Sequence, residues 1–225
     1  MENSCRKKYK PSPKKWILAS RYSEFRRNSA LIPANAGLFH YAGNNPVRYI
    51  DPDGRDFNLS HTRKENYKYI LSIINKMSIL QYKIVDGKMK IDAGIINHYG
   101  SETFNRDMLY AFCSDFDISV LFATKVPAYV DKETPGVYGG TCYFFDKSKK
   151  AFIILHPDES KYPIIKTKNG KYSFVKRNEV FAHELSGHMV PMIKGKNGNA
   201  VSIENEIRRQ MGLDEREEEP DHASF

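Results

Sequence analysis

The sequence has little cysteine and no long apolar run. Its 225 residues include three cysteines, Cys5, Cys113 and Cys142, too few for a disulfide framework and not spaced as a CxxC metal knuckle. We expect them to be buried or incidental thiols. No stretch approaches the roughly 18 apolar residues of a transmembrane helix, and the apolar patch at 16–19 is too short for a signal-peptide core. The sequence therefore predicts neither a membrane span nor a signal peptide.

The chain also has no internal repeat at periods of about 20–50 residues. Hydrophobic residues make up 40% of it and aromatic residues 12%. This composition excludes global disorder, collagen and coiled coil, and it allows a sizeable buried core.

Positive and negative charges nearly balance each other over most of the chain. The formal net charge is +8 and the isoelectric point about 9.2, which first suggests a nucleic-acid partner. Residues 1–54, however, hold ten lysines and arginines against four acids, so the remaining 171 residues carry only +2. The basic character belongs to the N-terminal quarter, and the sequence predicts no nucleic-acid partner.

The chain divides into three segments. Residues 1–37 are basic and interrupted by proline, and we expect them to be a poorly ordered remnant. Residues 38–55 are dense in turn formers, with a short alternating strand between two turns. Residues 56–225 carry the periodic patterns of one globular domain.

Within 56–225 the patterns alternate between helix and hairpin. Apolar spacing predicts a helix through 67–77, capped by Ser60 or Thr62. The remaining expectations are a hairpin at 82–91, a helix at 102–112, a strand at 118–122, a hairpin of 141–145 with 151–155, a turn at 169–170, and helices at 178–192 and 201–211.

A His-Glu pair lies in the helix predicted at 178–192, in the segment HELSGH. Zinc peptidases present two histidines at i and i+4 with a glutamate between them, HExxH. Here His183 and His188 are five residues apart, which on a regular α-helix leaves them about 140° apart. Sharing a metal then requires a π-bulge, or a helix that ends at Gly187. Glu184 is the candidate general base.

A zinc site needs a third protein ligand, and the next helix offers two. Glu204 and Glu206 lie about 200° apart on that helix, so only one can face the metal. Upstream, we expect the strand at 151–155 to lie beside the cleft, where an edge strand binds an extended peptide. Tyr143 and Tyr138 are candidates for hydrogen bonding a tetrahedral intermediate, and His222 for stabilising an oxyanion.

Two resemblances extend these expectations. The segment LFHYAGNNPVRYIDPDGR (38–55) resembles the closing segment of the Rhs/YD-repeat core. The resemblance implies that a variable C-terminal toxin domain follows it, delivered as part of a larger secreted protein.

Residues 139–213 are similar to zinc metallopeptidase toxins and secreted effector peptidases. The similarity is carried by a glycine pair with an aromatic hairpin, the HELSGH segment, and the run ENEIRRQMGL (204–213). It implies that Glu204 is the third ligand, with Glu206 as the alternative candidate, and that Asn205 and Arg208 are supporting residues. The dipeptidyl peptidase III family shares the HExxGH spacing, which implies that this spacing can bind zinc.

Together these patterns predict an α+β, zincin-like domain. A hairpin or sheet would precede the active-site helix, and a glutamate-bearing helix would follow it. We expect one Zn²⁺ held by His183, His188 and Glu204, a protein or peptide substrate in a target cell, and, by family analogy, an immunity protein as partner. The alternatives are a nuclease toxin and an inactive, metal-free binding module. The sequence does not distinguish endopeptidase from exopeptidase.

Overall fold

The computed structural model describes residues 62–196 and 199–218. The expectations for residues 1–37, for the segment 38–55 and for His222 lie outside the described residues. All described residues fall within the domain predicted at 56–225.

A helix and a hairpin open the described fold. A 3-10 turn, Lys64–Asn66, leads into α1, Tyr67–Met77, whose apolar stripe is buried. The hairpin of β1 (Leu80–Val85) and β2 (Lys88–Ile96) turns at Asp86 and Gly87, both with positive φ. Of the two expected caps, Ser60 lies outside the described residues. Thr62 does not cap the helix, because its hydroxyl donates to the carbonyl of Val120 and Arg63 precedes the 3-10 turn.

A three-stranded sheet forms the centre of the core. It follows α2 (Glu102–Phe112), whose N-cap Ser101 accepts a hydrogen bond from the Phe104 amide. The strands are β3 (Asp117–Phe122), β4 (Gly140–Phe145) and β5 (Lys150–Leu155), in the order β3-β5-β4. Strand β5 pairs parallel with β3 and antiparallel with β4.

This order corrects the expectation for residues 151–155. They form β5, which is the central strand and almost wholly buried, so its backbone is already paired on both sides. The two edge strands are β3 and β4, and β4 is the hairpin partner of β5. The sequence identified the hairpin and the strand at 118–122 but not their pairing, because β3 joins the hairpin through a loop of 17 residues that no local pattern predicts.

A two-stranded sheet lies beside the C-terminal end of the described chain. Strands β6 (Ile164–Lys166) and β7 (Tyr172–Phe174) form a hairpin around Gly170, whose φ is +80°. The chain after the last helix returns along β6, where Thr167 bridges Arg216 in antiparallel fashion.

Two helical stretches complete the fold. Residues 177–193 form one continuous long helix made of α3 (Arg177–Ala182), a π-helical segment (His183–Met189) and α4 (Val190–Ile193). Helix α5 (Ala200–Gln210) packs against the π segment. Both stretches match the sequence expectations within one residue at each end.

The described residues form an α+β fold, as the sequence predicted. Three small sheets and their helices share a hydrophobic core that includes Ile74, Phe104, Ile153 and Phe181. No helix in the described part is both long and apolar enough to cross a bilayer.

Candidate functional site

The π-helical segment resolves the five-residue spacing of the two histidines. In a π-helix each amide bonds the carbonyl five residues earlier, and the Val190 amide here donates to the carbonyl of Leu185. Residues five apart therefore lie one turn apart on the same face. Of the two expected solutions, the structure adopts the π-type distortion, and the helix continues past Gly187.

Gly187 is required for close packing rather than for ending the helix. It is buried and has no positive φ. A Cβ placed on it would lie 2.8 Å from Cβ of Ala200 and 3.0 Å from its Cα. The glycine thus lets the first turn of α5 approach the π segment, which brings Glu204 close to His183.

The two imidazoles face each other. Nε2 of His183 lies 3.1 Å from Nε2 of His188, and the rings are inclined by 76°. Two nitrogens bound to one tetrahedral zinc at about 2.0–2.1 Å are about 3.3 Å apart. The separation of the two nitrogens is therefore close to that of two neighbouring ligands of one zinc ion.

Glu184 follows the first histidine and lines the same cavity. Its side chain is 7% exposed. Burial raises the pKa of Glu184 to about 7; the charge of His183 opposes this rise and that of Glu204 adds to it. A carboxyl with such a pKa can both accept and return a proton near neutral pH.

Glu204 lies beside His183, but at the other ring nitrogen. Nδ1 of His183 lies 2.9 Å from Oε2 of Glu204, within hydrogen-bond distance. Burial acts to lower the pKa of His183, but this hydrogen bond and the charges of Glu184 and Glu204 outweigh it and raise the pKa. Among the described residues, no three His, Cys, Asp or Glu side chains converge as a complete metal site.

Two arginines approach the same carboxylate. Nη1 of Arg216 is 3.3 Å from Oε2 of Glu204, and Nη1 of Arg208 is 3.5 Å from Oε1. Burial acts to raise the pKa of Glu204, but the His183 hydrogen bond and the charges of His183, Arg216 and Arg208 lower it below its ordinary value. Glu204 is therefore held as a carboxylate.

The supporting residues implied by the resemblance hold the turn that carries Arg216. Asn205 accepts from the Arg216 amide at 2.6 Å and donates to its carbonyl at 2.8 Å. Arg208 donates to the Asp214 carbonyl at 2.6 Å and to Oε2 of Glu179 at 2.5 Å. Gly212, with a φ of +68°, ends α5 with the paired backbone bonds of a Schellman turn.

A cavity of about 420 Å³ opens in front of these groups. The first residues of edge strand β4 form one wall, namely Gly140, Thr141 and Cys142. Burial and the nearby charge of Glu184 raise the pKa of Cys142, so it stays a thiol. The volume suits a few substrate side chains or a short peptide segment.

No protein-family model, curated protein or solved structure matches this chain. The chemistry of the site therefore rests on the residues themselves.

The structure brings together most of the residues that the sequence predicted. His183, Glu184, His188 and Glu204 all line the cavity. Tyr143 is not among the residues that line the cavity, and its hydroxyl donates to Asp131 at 3.2 Å, whereas Tyr138 lines the cavity. Glu206 is partly exposed and pairs with Arg209 and Gln210.

Two further residues at the site escaped the sequence reasoning. Arg216 lines the cavity next to Glu204, and Gly140 allows β4 to approach Glu184. The signal for Gly140 was present, since the glycine pair 139–140 belongs to the resemblance. Nothing in the local sequence marks Arg216, which reaches the site only after the chain reverses at Gly212.

Proposed function

We propose that this chain is a zinc-dependent peptide-bond hydrolase of zincin-like architecture, with one zinc bound through Nε2 of His183 and His188. The observation that carries the proposal is the 3.1 Å separation of these two nitrogens, with a buried glutamate next to the first of them. π-helical turns are rare and occur frequently at functional sites, and this one aligns two imidazoles that are five residues apart.

Glu184 is the general base of the proposed reaction. When bound, zinc supplies a Lewis acid that polarises the peptide carbonyl and lowers the pKa of a water. Glu184 takes the proton of the attacking water and later returns it to the leaving amine. Its burial against β4 fixes its position, and its pKa of about 7 suits both steps.

The edge strand β4 is the proposed binding surface for the substrate backbone. Among the described strands, β4 pairs only with β5, so one side of its backbone faces away from that pairing. Its first three residues form a wall of the cavity. An extended peptide that adds to this edge would pass in front of Glu184 and the histidine pair.

The biological setting is proposed from the sequence. The 38–55 segment supports a role as the C-terminal toxin or effector of an Rhs-type protein, with a protein of a target cell as substrate. An immunity protein that neutralises it is the expected partner, by analogy with that family.

The proposed zinc binding is tested by measuring metal content and the effect of removing one histidine. The full 225-residue chain, purified without chelator, should contain one equivalent of zinc. With free zinc at about 100 times its dissociation constant, binding should stabilise the fold by about 2.7 kcal/mol, a rise in Tm on the order of 5–10 °C. His188→Ala should lose both effects, and His98→Ala, an exposed histidine outside the site, should keep them.

Peptide hydrolysis tests the proposed activity and the role of Glu184 as its base. Glu184→Gln should retain zinc, but its rate of hydrolysis should fall by about 10²–10⁴-fold. The rate is measured as the formation of new peptide termini in a proteome digest analysed by mass spectrometry. A wild-type chain that neither contains zinc nor gains stability from it would refute the proposal. Full activity of Glu184→Gln would refute the assigned base.

A further inference from the structure

The hairpin of β6 and β7 exposes an apolar face. Ile164 pairs with Phe174 and Lys166 pairs with Tyr172, and residues directly opposite each other in an antiparallel pair lie on the same face. Ile164, Tyr172 and Phe174 are 55%, 74% and 75% exposed, whereas Ile165 on the other face is buried in the core. Apolar side chains that are grouped on a surface, rather than scattered singly, indicate an interaction site.

The outer edge of β7 is open at the same two aromatic residues. The Val175 amide donates to the Pro163 carbonyl at 3.2 Å, and hydrogen-bonded pairs alternate along an antiparallel ladder. The amides and carbonyls of Tyr172 and Phe174 therefore point away from β6. Among the described strands, none pairs with this side of β7.

The outer edge of β6, in contrast, is covered by the chain that returns after α5. The Glu217 amide donates to the Lys166 carbonyl at 2.8 Å, and the Lys168 amide donates to the Glu215 carbonyl at 2.9 Å. The two edges of the hairpin thus differ, since the described chain satisfies the backbone of β6 and leaves that of β7 available to another strand.

Two lysines flank the open edge. Lys171 and Lys176 are exposed, and within residues 62–196 and 199–218 neither ammonium group forms an ion pair, whereas Lys166 and Lys168 pair with glutamates of the returning chain. A second copy of β7 added to this edge would bring its own lysines close to these, and like charges across a strand pair are destabilising. Lysines at an edge oppose self-pairing in this way, but they attract an acidic strand.

We propose that the open edge of β7 binds an extended segment of another protein, with apolar residues at its centre and acidic residues at its ends. The backbone of that segment pairs with the outward groups of Tyr172 and Phe174. Its apolar side chains pack on the face that includes Ile164, and its acidic ends lie beside Lys171 and Lys176. A polypeptide fits this edge better than a nucleic acid or a lipid, because it presents donors and acceptors at the spacing of a strand.

Fluorescence anisotropy with a labelled nine-residue peptide tests the docking. The probe carries valine at its third, fifth and seventh positions, threonine between them, and two glutamates at each end. It should bind the full 225-residue chain with Glu184→Gln, a background in which the proposed hydrolysis would not cut the probe. Phe174→Ala should weaken binding about tenfold, as the loss of an anchoring aromatic does, and Tyr99→Ala, an exposed aromatic outside the hairpin, should not. Absence of saturable binding would overturn the proposal.

Reversal of charge tests the role of the two lysines. The double variant Lys171→Glu, Lys176→Glu should lose affinity for the acidic probe and gain affinity for a probe in which lysines replace the four glutamates. Lys90→Glu, at an exposed position of β2, is the matched control and should keep the preference of the wild-type surface. A double variant that still prefers the acidic probe contradicts the proposal.

Hydrogen exchange resolved by NMR distinguishes strand addition from contact through side chains alone. The bound peptide should slow exchange of the Tyr172 and Phe174 amides, with the Ser173 amide as an internal reference because it already faces β6. Protection of amides in β4 instead would place the peptide at the edge beside the cavity and would overturn the proposal.

Three other occupants of this face are outcomes of the same experiments. Binding of anionic lipid vesicles, binding of single-stranded DNA, or dimer formation in sedimentation, if lost in Phe174→Ala, would each assign the face to that occupant and refute a peptide site. Peptide binding without any of these supports the proposal. The proposed hydrolysis stands or fails separately, because these binding measurements involve neither zinc nor catalysis.

Discussion

Gly140, the first residue of β4, lies directly against Glu184. A Cβ placed at residue 140 would be 3.0 Å from Cγ of Glu184 and 3.1 Å from its Oε1, and 2.7 Å from Cγ1 of Val180. The edge strand and the long helix therefore meet without an intervening side chain. This contact sets the distance between the proposed base and the strand along which a substrate would lie.

We expect Gly140→Ala to lower activity more than its effect on stability would suggest. Overpacking of this kind costs about 1–3 kcal/mol, and the displaced group is Glu184 itself. Chemical denaturation and peptide hydrolysis measure the two effects. Val180→Ala removes the nearest clashing atom, so the double variant should be less destabilised than the sum of the singles. Strict additivity would show that the contact is looser than the structure indicates.

Gly187→Ala should destabilise the protein although alanine favours helices. Helix propensity alone predicts a gain of about 1 kcal/mol, but the new methyl would lie 2.8 Å from Cβ of Ala200. We expect a net loss of stability and weaker zinc binding, because α5 must shift and take Glu204 with it. Thermal melts and chelator competition measure these losses.

Ala200→Gly provides the rescue for this variant. It removes the methyl that the new side chain would meet, so the double variant should recover part of the lost stability. A Gly187→Ala variant more stable than wild type would contradict the proposed packing role of the glycine.

The sequence predicted the elements of the site but not the contacts between them. The histidine pair, Glu184 and Glu204 carry residue types and spacings that indicate metal chemistry, so local pattern located them. The position of β5 at the centre of its sheet depends on pairing with β3, which is remote in sequence. Glu204 faces one particular nitrogen of His183. Its position depends on how α5 packs at Gly187 and on where the chain brings Arg216, and neither feature leaves a periodic pattern in the sequence.

The ion pair of Glu179 with Arg208 should contribute far more to stability than the neighbouring pair of Glu206 with Arg209. Oε2 of Glu179 lies 2.5 Å from Nη1 of Arg208, and both side chains are buried. Glu179→Ala leaves a buried guanidinium without its closest partner, which costs about 3–5 kcal/mol. Glu206→Ala breaks an exposed pair and should cost at most about 1 kcal/mol. Urea denaturation of both variants measures the difference, and equal losses would contradict the assignment.

Tyr138 should affect substrate binding without affecting the fold. Its side chain is 82% exposed and forms part of the cavity wall just before Gly140, so Tyr138→Ala removes an aromatic contact surface at little structural cost. We expect a change in stability within about 0.5 kcal/mol. The KM for peptides should rise about tenfold, equivalent to about 1.4 kcal/mol of binding.

Tyr99→Ala is the matched control for this prediction, because Tyr99 is 86% exposed and does not line the cavity. Steady-state kinetics on one peptide substrate compare the two variants. If both raise KM equally, or if neither does, the rim of the cavity at Tyr138 does not contact the substrate. An effect on kcat alone would place Tyr138 at the reacting atoms instead, which its position on the outer wall does not favour.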